Sequence, residues 1–340
     1  MANLKSLAKD TAIYGLSSII GRFLNYLLVP LYTAKLSAAS GGYGVITNVY
    51  AYTALLLVIL TYGMETTFFR YANKSEESPD TVYSTTLISV GTTSLLFVLL
   101  VLAFLPGISG WMGYADHPEY VWVMATVVAL DAFQCIPFAY LRYQRKPWKF
   151  AALKLLFIFL NIGLNLLYFV GLPALYKSHP ESIGKIYDPS VGAGYAFYIN
   201  LACTGLITFG FWKELVGIKY KFDWSLLKRM LSYGWPILVL GIAGILNQTF
   251  DKMMFPKIYG DHADTQTQLG IYGAAVKIAM IMALITQAFR YAYEPFVFGK
   301  SRDKDNRETY AQAMRYFIIF TLLAFLAVMA WIDVFKYIIA

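Results

Sequence analysis

Apolar stretches of roughly 20 residues or more recur along the whole chain, separated by connections too short to form folded domains. Backbone amides and carbonyls cannot stay unpaired in hydrocarbon, so a stretch of this length crosses a bilayer as a helix. The spacing predicts about nine spans, near 11–33, 43–69, 81–105, 119–141, 150–173, 190–212, 230–256, 268–297 and 309–333. The fold class this implies is an all-α membrane protein, a polytopic helix bundle. With 58% hydrophobic and 14% charged residues in 340, the chain lies outside the composition of soluble domains, so spans rather than core size set its architecture. The first stretch is longer than the h-region of a signal peptide and no small-residue cleavage site follows it, so it is expected to be retained.

A net charge of +8 invites a nucleic-acid reading, but the placement of the charge excludes it. The basic residues collect in alternate connections: Lys5 and Lys9, then Arg70 and Lys74, then Arg142, Arg145, Lys146, Lys149 and Lys154, then Lys213, Lys219, Lys221, Lys228 and Arg229, then Lys300 through Arg315. The intervening connections hold few, namely Lys35, Lys177, Lys185, Lys252, Lys257 and Lys336. Positive charge is retained on the cytoplasmic side, so the N-terminus is expected inside a bacterial inner membrane. Trp111, Trp122, Trp148, Trp212, Trp224, Trp235 and Trp331 fall at or near span ends, as interfacial aromatics do. Cys135 and Cys203 lie within apolar stretches without metal or redox spacing and read as small buried hydrophobes.

The second span lies on the eighth with weak self-similarity. Gly44 to Lys74 and Gly270 to Lys300 have one length, open on a glycine, and close on aromatic residues and a lysine. Tyr14-Gly15 and Pro30 in the first span are loosely repeated as Tyr233-Gly234 and Pro256 in the seventh. Parallel repeats of this kind build transporters from two bundles, although chance recurrence of Tyr and Gly is the plainer alternative. A six-span repeat predicts an N-terminal lobe of six helices over 1–215 and a partial C-terminal lobe of three over 216–340, truncated in its second half.

Ionisable groups at membrane depth are costly unless they face a polar cavity or a partner, so each is a candidate site residue. In the first span Tyr14, Ser18, Arg22 and Asn25 share one helical stripe, and the Arg22 fork suits phosphate oxygens. The eighth span carries Gln287, Arg290 and Glu294 on one face, with Lys277 off that face and without an acid on its own helix. Arg290 and Glu294 also fit a plain i, i+4 pair. Asp131, Glu65, Asp251 and Glu294 are the candidates for a coupling ion, Asp131 the deepest among them. Asn161 with Asn165, and Asn247 with Asp251, suit a polar cavity and interhelical hydrogen bonds equally well. Tyrosines within spans, such as Tyr50, Tyr52, Tyr195, Tyr198 and Tyr272, present faces suited to sugars, and they are also ordinary belt and filler residues. The chain has no phosphate loop, no His-Glu-x-x-His and no Gly-x-Ser-x-Gly elbow, and its three histidines fall in outer connections, so transport is expected rather than catalysis.

Several of these segments together resemble a known family. They are Asp10 to Gly15, Ile20-Gly21-Arg22-Phe23-Leu24, Pro30-Leu31-Tyr32, Tyr43-Gly44, Thr61-Tyr62-Gly63-Met64-Glu65, Phe68-Phe69-Arg70-Tyr71 and Tyr233-Gly234-Trp235-Pro236. The chain is similar to the Wzx-like polysaccharide flippases of the multidrug/oligosaccharidyl-lipid/polysaccharide exporter (MOP) superfamily. That resemblance implies a two-lobe, MATE/MurJ-like architecture with a central cavity open to each side in turn. It implies an undecaprenyl-pyrophosphate-linked oligosaccharide as substrate, carried for O-antigen or capsule biosynthesis, with Arg22, Lys277 and Arg290 serving the pyrophosphate; Asn25 and Tyr14 join them as substrate-binding candidates from the stripe they share with Arg22. No cofactor is expected beyond a coupling Na+ or H+. The expected partners are that substrate, membrane lipids, a polysaccharide polymerase and glycosyltransferases. A cation-coupled multidrug exporter and a membrane-embedded glycan polymerase or ligase are the competing readings. The first calls for cavity acids to outnumber cations, and the second for a large outer loop.

Overall fold

The computed structural model describes residues 27–36, 41–74, 77–260, 264–280, 282 and 306–339, and among these every regular element is helical. Five continuous stretches are long and apolar enough to cross a membrane: Gly42–Asn73, Pro79–Ala103, Pro118–Tyr143, Pro147–Ser178 and Trp224–Tyr259. They correspond to the second, third, fourth, fifth and seventh expected spans. Gly194–Phe209 is a shorter apolar helix at the sixth, and the described part of the first span is the helix Leu28–Lys35.

In chain order, α1 is Leu28–Lys35, α2 Gly42–Thr61, α3 Met64–Lys74, α4 Pro79–Ala103, α5 Leu105–Met112 and α6 Pro118–Tyr143. Next come α7 Pro147–Leu166, a π-helical turn Leu167–Gly171, α8 Leu172–Ser178, α9 Gly194–Phe209, α10 Trp212–Val216 and α11 Trp224–Tyr259. The last are α12 over 265–280, α13 Asn306–Ala330 and α14 Ile332–Ile339. Helix starts follow local chemistry. Ser78 caps α4 by accepting from the Thr81 amide at 3.3 Å, with Pro79 and Asp80 in the first turn. Asp223 caps α11 by accepting from the Leu226 amide at 3.0 Å.

The most enclosed helix is α6, which packs against α2, α4, α7 and α9. Its buried Ala125, Ala129, Ala132 and Ala139 let these neighbours approach closely, since lipid offers no hydrophobic drive and packing must hold the bundle. Near its end Tyr140 stacks on Tyr83 of α4 with ring centroids 3.9 Å apart, and Phe68 of α3 meets both rings edge-on. Around them lies the end of the bundle that holds Arg142, Lys149 and Arg229, called below the basic end.

The second span is not one helix. It breaks at Tyr62 and Gly63, both with positive φ (31° and 72°), so α2 and α3 are separate rods. At this break α11 crosses closely. A Cβ on Gly63 would come within 3.0 Å of the Gly234 carbonyl oxygen, and one on Gly234 equally close to the Tyr62 oxygen. Gly63 is favoured by its positive φ, and a side chain at Gly234 would have to push the crossing backbone back by a few tenths of an ångström. Toward the opposite end α12 lies on α2, where a Cβ on Gly273 would come within 2.6 Å of the Thr47 Oγ1.

Candidate functional site

Three polar groups lie within the spans. The first joins α11, α12 and α2 in the half of the bundle away from the basic end. Pro256 lies inside α11 and lacks an amide hydrogen, so the carbonyl of Lys252 one turn earlier loses its helical donor. Asn48 of α2 supplies the replacement, its side-chain amide donating to that oxygen at 2.9 Å, and Tyr114 in turn donates to the Asn48 Oδ1 at 2.9 Å. This relay fixes the last third of α11 against α2, and with it the side chains that follow. The Lys252 ammonium donates to the Gln248 carbonyl at 2.7 Å and to both Asp251 oxygens at 3.1 Å. The Tyr272 hydroxyl of α12 donates to Asp251 Oδ2 at 2.5 Å.

Lys277 lies on α12 within electrostatic reach of Lys252. It is half-buried and makes no ion pair among the described residues. Twelve residues separate it from the start of the helix, about 18 Å along the axis. The structure therefore joins Asp251 to Lys252 and Tyr272, and sets Lys277 within electrostatic reach of Lys252. Lys252 is counted from sequence as an outer-connection cation because it follows Asp251 near the end of an apolar run.

The second group lies between α2, α6, α7 and α9. Asp131 of α6 meets the Thr204 side chain and faces Lys154 of α7 and Tyr50 of α2. Around it Asn200 donates to the Tyr50 hydroxyl at 2.6 Å, Thr204 donates to Asn200 Oδ1 at 3.3 Å, and Gln134 donates to the Thr204 carbonyl at 2.8 Å. Lys154 Nζ also sits 4.0 Å from the centroid of the Phe138 ring. By charge alone Lys154 reads as one of the cytoplasmic cluster that starts at Arg142. In the structure it is two turns inside the α7 span and answers Asp131. The signal was a lysine inside an apolar run opposite an aspartate on the preceding span.

Glu65 belongs to a third group, at the basic end, where its carboxylate pairs with the Arg142 guanidinium. Glu214, itself buried, accepts from Lys149 at 2.5 Å, and Arg229 pairs with Glu77. These pairs tie the ends of neighbouring helices. Tyr14, Arg22, Asn25, Arg290 and Glu294 lie outside the described residues. Asn165 accepts from the Tyr32 hydroxyl at 2.8 Å and donates to the Asn161 carbonyl at 2.8 Å, which gives this asparagine pair an interhelical bonding role between α7 and α1.

A model of the family described as polysaccharide biosynthesis protein matches residues 7–290. The chain belongs to this family. As a polysaccharide biosynthesis protein it is similar to Lsg locus putative protein 1 of Haemophilus influenzae, 21% identical over 299 residues that make up 87% of this chain and 67% of that one. Among solved structures, an inward-facing multidrug resistance MATE family transporter of the MOP superfamily superposes with a TM-score of 0.66 at 15% identity, over 97% of this chain and 72% of that one. A MATE protein in the bent conformation gives 0.51 at 18% identity, over 97% and 75%. The chain thus has the fold seen in MATE transporters of the MOP superfamily and is a multi-pass membrane protein.

Proposed function

We propose that the protein is a flippase that carries an undecaprenyl-pyrophosphate-linked oligosaccharide across the bacterial inner membrane for O-antigen or capsule assembly, with its basic end in the cytoplasm. The observation that carries this reading is Lys277, a cation about 18 Å along α12 near Lys252 and with no ion pair among the described residues, in a member of a polysaccharide biosynthesis family. A pyrophosphate cannot enter hydrocarbon without replacement of its hydration, and fixed cations with charge-assisted hydrogen bonds supply that replacement. Sugars would occupy the wet interior while the prenyl chain stays in lipid. Arg22 and Arg290 are proposed to share the task with Lys277, flanked by Tyr14 and Asn25. Alternating access would move one lobe against the other, biased by a proton or Na+ at Asp131, whose setting among Lys154, Thr204 and Tyr50 supports that role.

The test is surface glycan in cells that carry Lys277→Met or Lys277→Arg. The methionine variant is expected to lower surface polysaccharide about tenfold or more at unchanged membrane abundance, and arginine to retain most of it. Full glycan with methionine would sink the pyrophosphate role. A cation-coupled multidrug exporter is the second reading, favoured by the similarity to a multidrug resistance transporter. Deletion separates the two: lipid-linked repeat units held on the cytoplasmic leaflet support the flippase, whereas unchanged glycan with raised drug sensitivity supports export.

A further inference from the structure

We infer that a half-open cavity at the end of the bundle away from the basic end binds a negatively charged sugar, a uronate or a phosphorylated hexose. Its volume is about 310 Å³, and it lies between the end of α1, the π-helical turn, α8 and the segment before α9. That volume falls at the lower end of the roughly 300–1,000 Å³ typical of small-molecule sites, room for a small sugar. Two cations and three tyrosines define its chemistry: Lys35, Lys177, Tyr168, Tyr187 and Tyr195.

Each of these side chains is placed by structure built for it. Tyr32 on α1 is pinned by its bond to Asn165 and by an edge-on contact with Phe169, ring centroids 5.4 Å apart. Lys35 follows one turn later on the same side of the helix and is thereby brought to the rim. The π-helical turn Leu167–Gly171 inserts an extra residue where an α-helix would have turned Tyr168 elsewhere, and such bulges favour functional sites. Tyr187 and Tyr195 stack at 5.4 Å, and Tyr168 lies 4.9 Å from Tyr195. The Tyr195 hydroxyl accepts from the Asp188 amide at 2.7 Å, which locks the loop to α9.

The electrostatics favour an anion. Neither Lys35 nor Lys177 forms an ion pair among the described residues. Asp188, next to Tyr187, turns its carboxylate into the loop to accept from the Ser190 amide at 2.9 Å, and that bond holds its carboxyl below the usual range; Glu181, four residues after Lys177, is exposed and forms no ion pair among the described residues. Two ammonium groups without an ion pair among the described residues call for negative charge, and three partly exposed aromatic faces call for the apolar face of a ring, with hydroxyls at hand for its oxygens. A bare phosphate would satisfy the lysines and leave the tyrosines idle. The site does not require the flippase reading, since a free acidic oligosaccharide and the glycan of a lipid-linked substrate present the same chemistry.

The experiment uses the full chain purified in detergent and saturation-transfer NMR with three probes: trigalacturonate, neutral maltotriose and inorganic phosphate. Trigalacturonate is expected to bind at least about tenfold more tightly than either of the others, two weak ion pairs and an aromatic platform being lost separately in each. A Lys35→Met, Lys177→Met double variant should lose that preference, while Lys35→Arg, Lys177→Arg keeps it. Tyr187→Ala should weaken all saccharide binding, and Tyr187→Phe should retain it. Equal binding of maltotriose or phosphate, no binding of trigalacturonate, or full binding by the methionine variant at an unchanged melting temperature would overturn the site. None of these results bears on Lys277, so the failure of one proposal leaves the other standing.

Discussion

Gly44 of α2 and Gly270 of α12 abut, a Cβ on Gly270 coming within 3.1 Å of the Gly44 amide nitrogen. These are the two glycines that open the matched stretches of the second and eighth spans. Three residues further on, Thr47 and Gly273 are also matched, and they also touch. At these two levels α2 and α12 therefore run side by side at close range. Small residues belong there because both backbones must pass at close range.

Gly44→Val should accordingly destabilise the protein, because the space beside Gly44 is filled by the Gln266 backbone. Overpacking of this kind costs about 1–3 kcal/mol, a fall of several degrees in melting temperature in detergent. Gly107→Val meets nothing within 4 Å and serves as the control. Equal melting of the two variants would contradict the close contact between α2 and α12.

Lys149→Met should cost about 2 kcal/mol, since it leaves the Glu214 carboxylate, only 4% exposed, without its cation. The lysine is itself 30% exposed, which screens the pair and keeps the loss below that of a fully buried one. Adding Glu214→Gln should restore most of the loss. A double variant as unstable as the sum of its singles would show that the two residues do not communicate.

Asp131→Asn should abolish any dependence of transport on an imposed proton or Na+ gradient, measured in proteoliposomes with a fluorescent lipid-linked glycan. Binding of the glycan should persist, because Asp131 sits with Lys154 and Thr204 and away from Lys277. Gradient-driven transport at the original rate in this variant would exclude Asp131 from coupling.

Asp223→Ala should lower stability at neutral pH and leave it nearly unchanged in acid. Hydrogen bonds from the Leu226 amide and the Ser225 hydroxyl hold the Asp223 carboxyl below the usual carboxylate range. A depressed folded value means the contribution is present above the unfolded value of about 3.9 and is lost as pH falls through the folded value below it. The difference in melting temperature between the two proteins should therefore shrink as pH drops from about 5 toward 3, and a constant difference would contradict the capping role.

The spans were legible because length and apolarity are properties of one segment at a time. The basic end was legible for a similar reason, as clustered Lys and Arg need no partner to be read. Lys154 was not, because its meaning depends on Asp131 one span earlier, and positions on a single helix say nothing of which neighbour they face. Glu65 likewise looks like a lone acid until the end of α6 delivers Arg142 to it. The role of Asn48 depends on a proline more than 200 residues away, whose missing amide hydrogen creates the acceptor that Asn48 satisfies. Periodicity finds faces, whereas these pairings arise only when faces are brought together.

The interruption at Tyr62 and Gly63 divides the second span into two levers with different attachments. Asn48 and Tyr52 bind the longer arm to the far end of α11 through the carbonyls of Lys252 and Met253, whereas Tyr71 holds the shorter arm to the start of the same helix through the carbonyl of Arg229. A left-handed tyrosine is a costly joint, of order 1–2 kcal/mol, and it leaves each arm with its own attachment to α11. In the proposed alternating access the two arms would then move about a prebuilt elbow instead of bending a continuous rod.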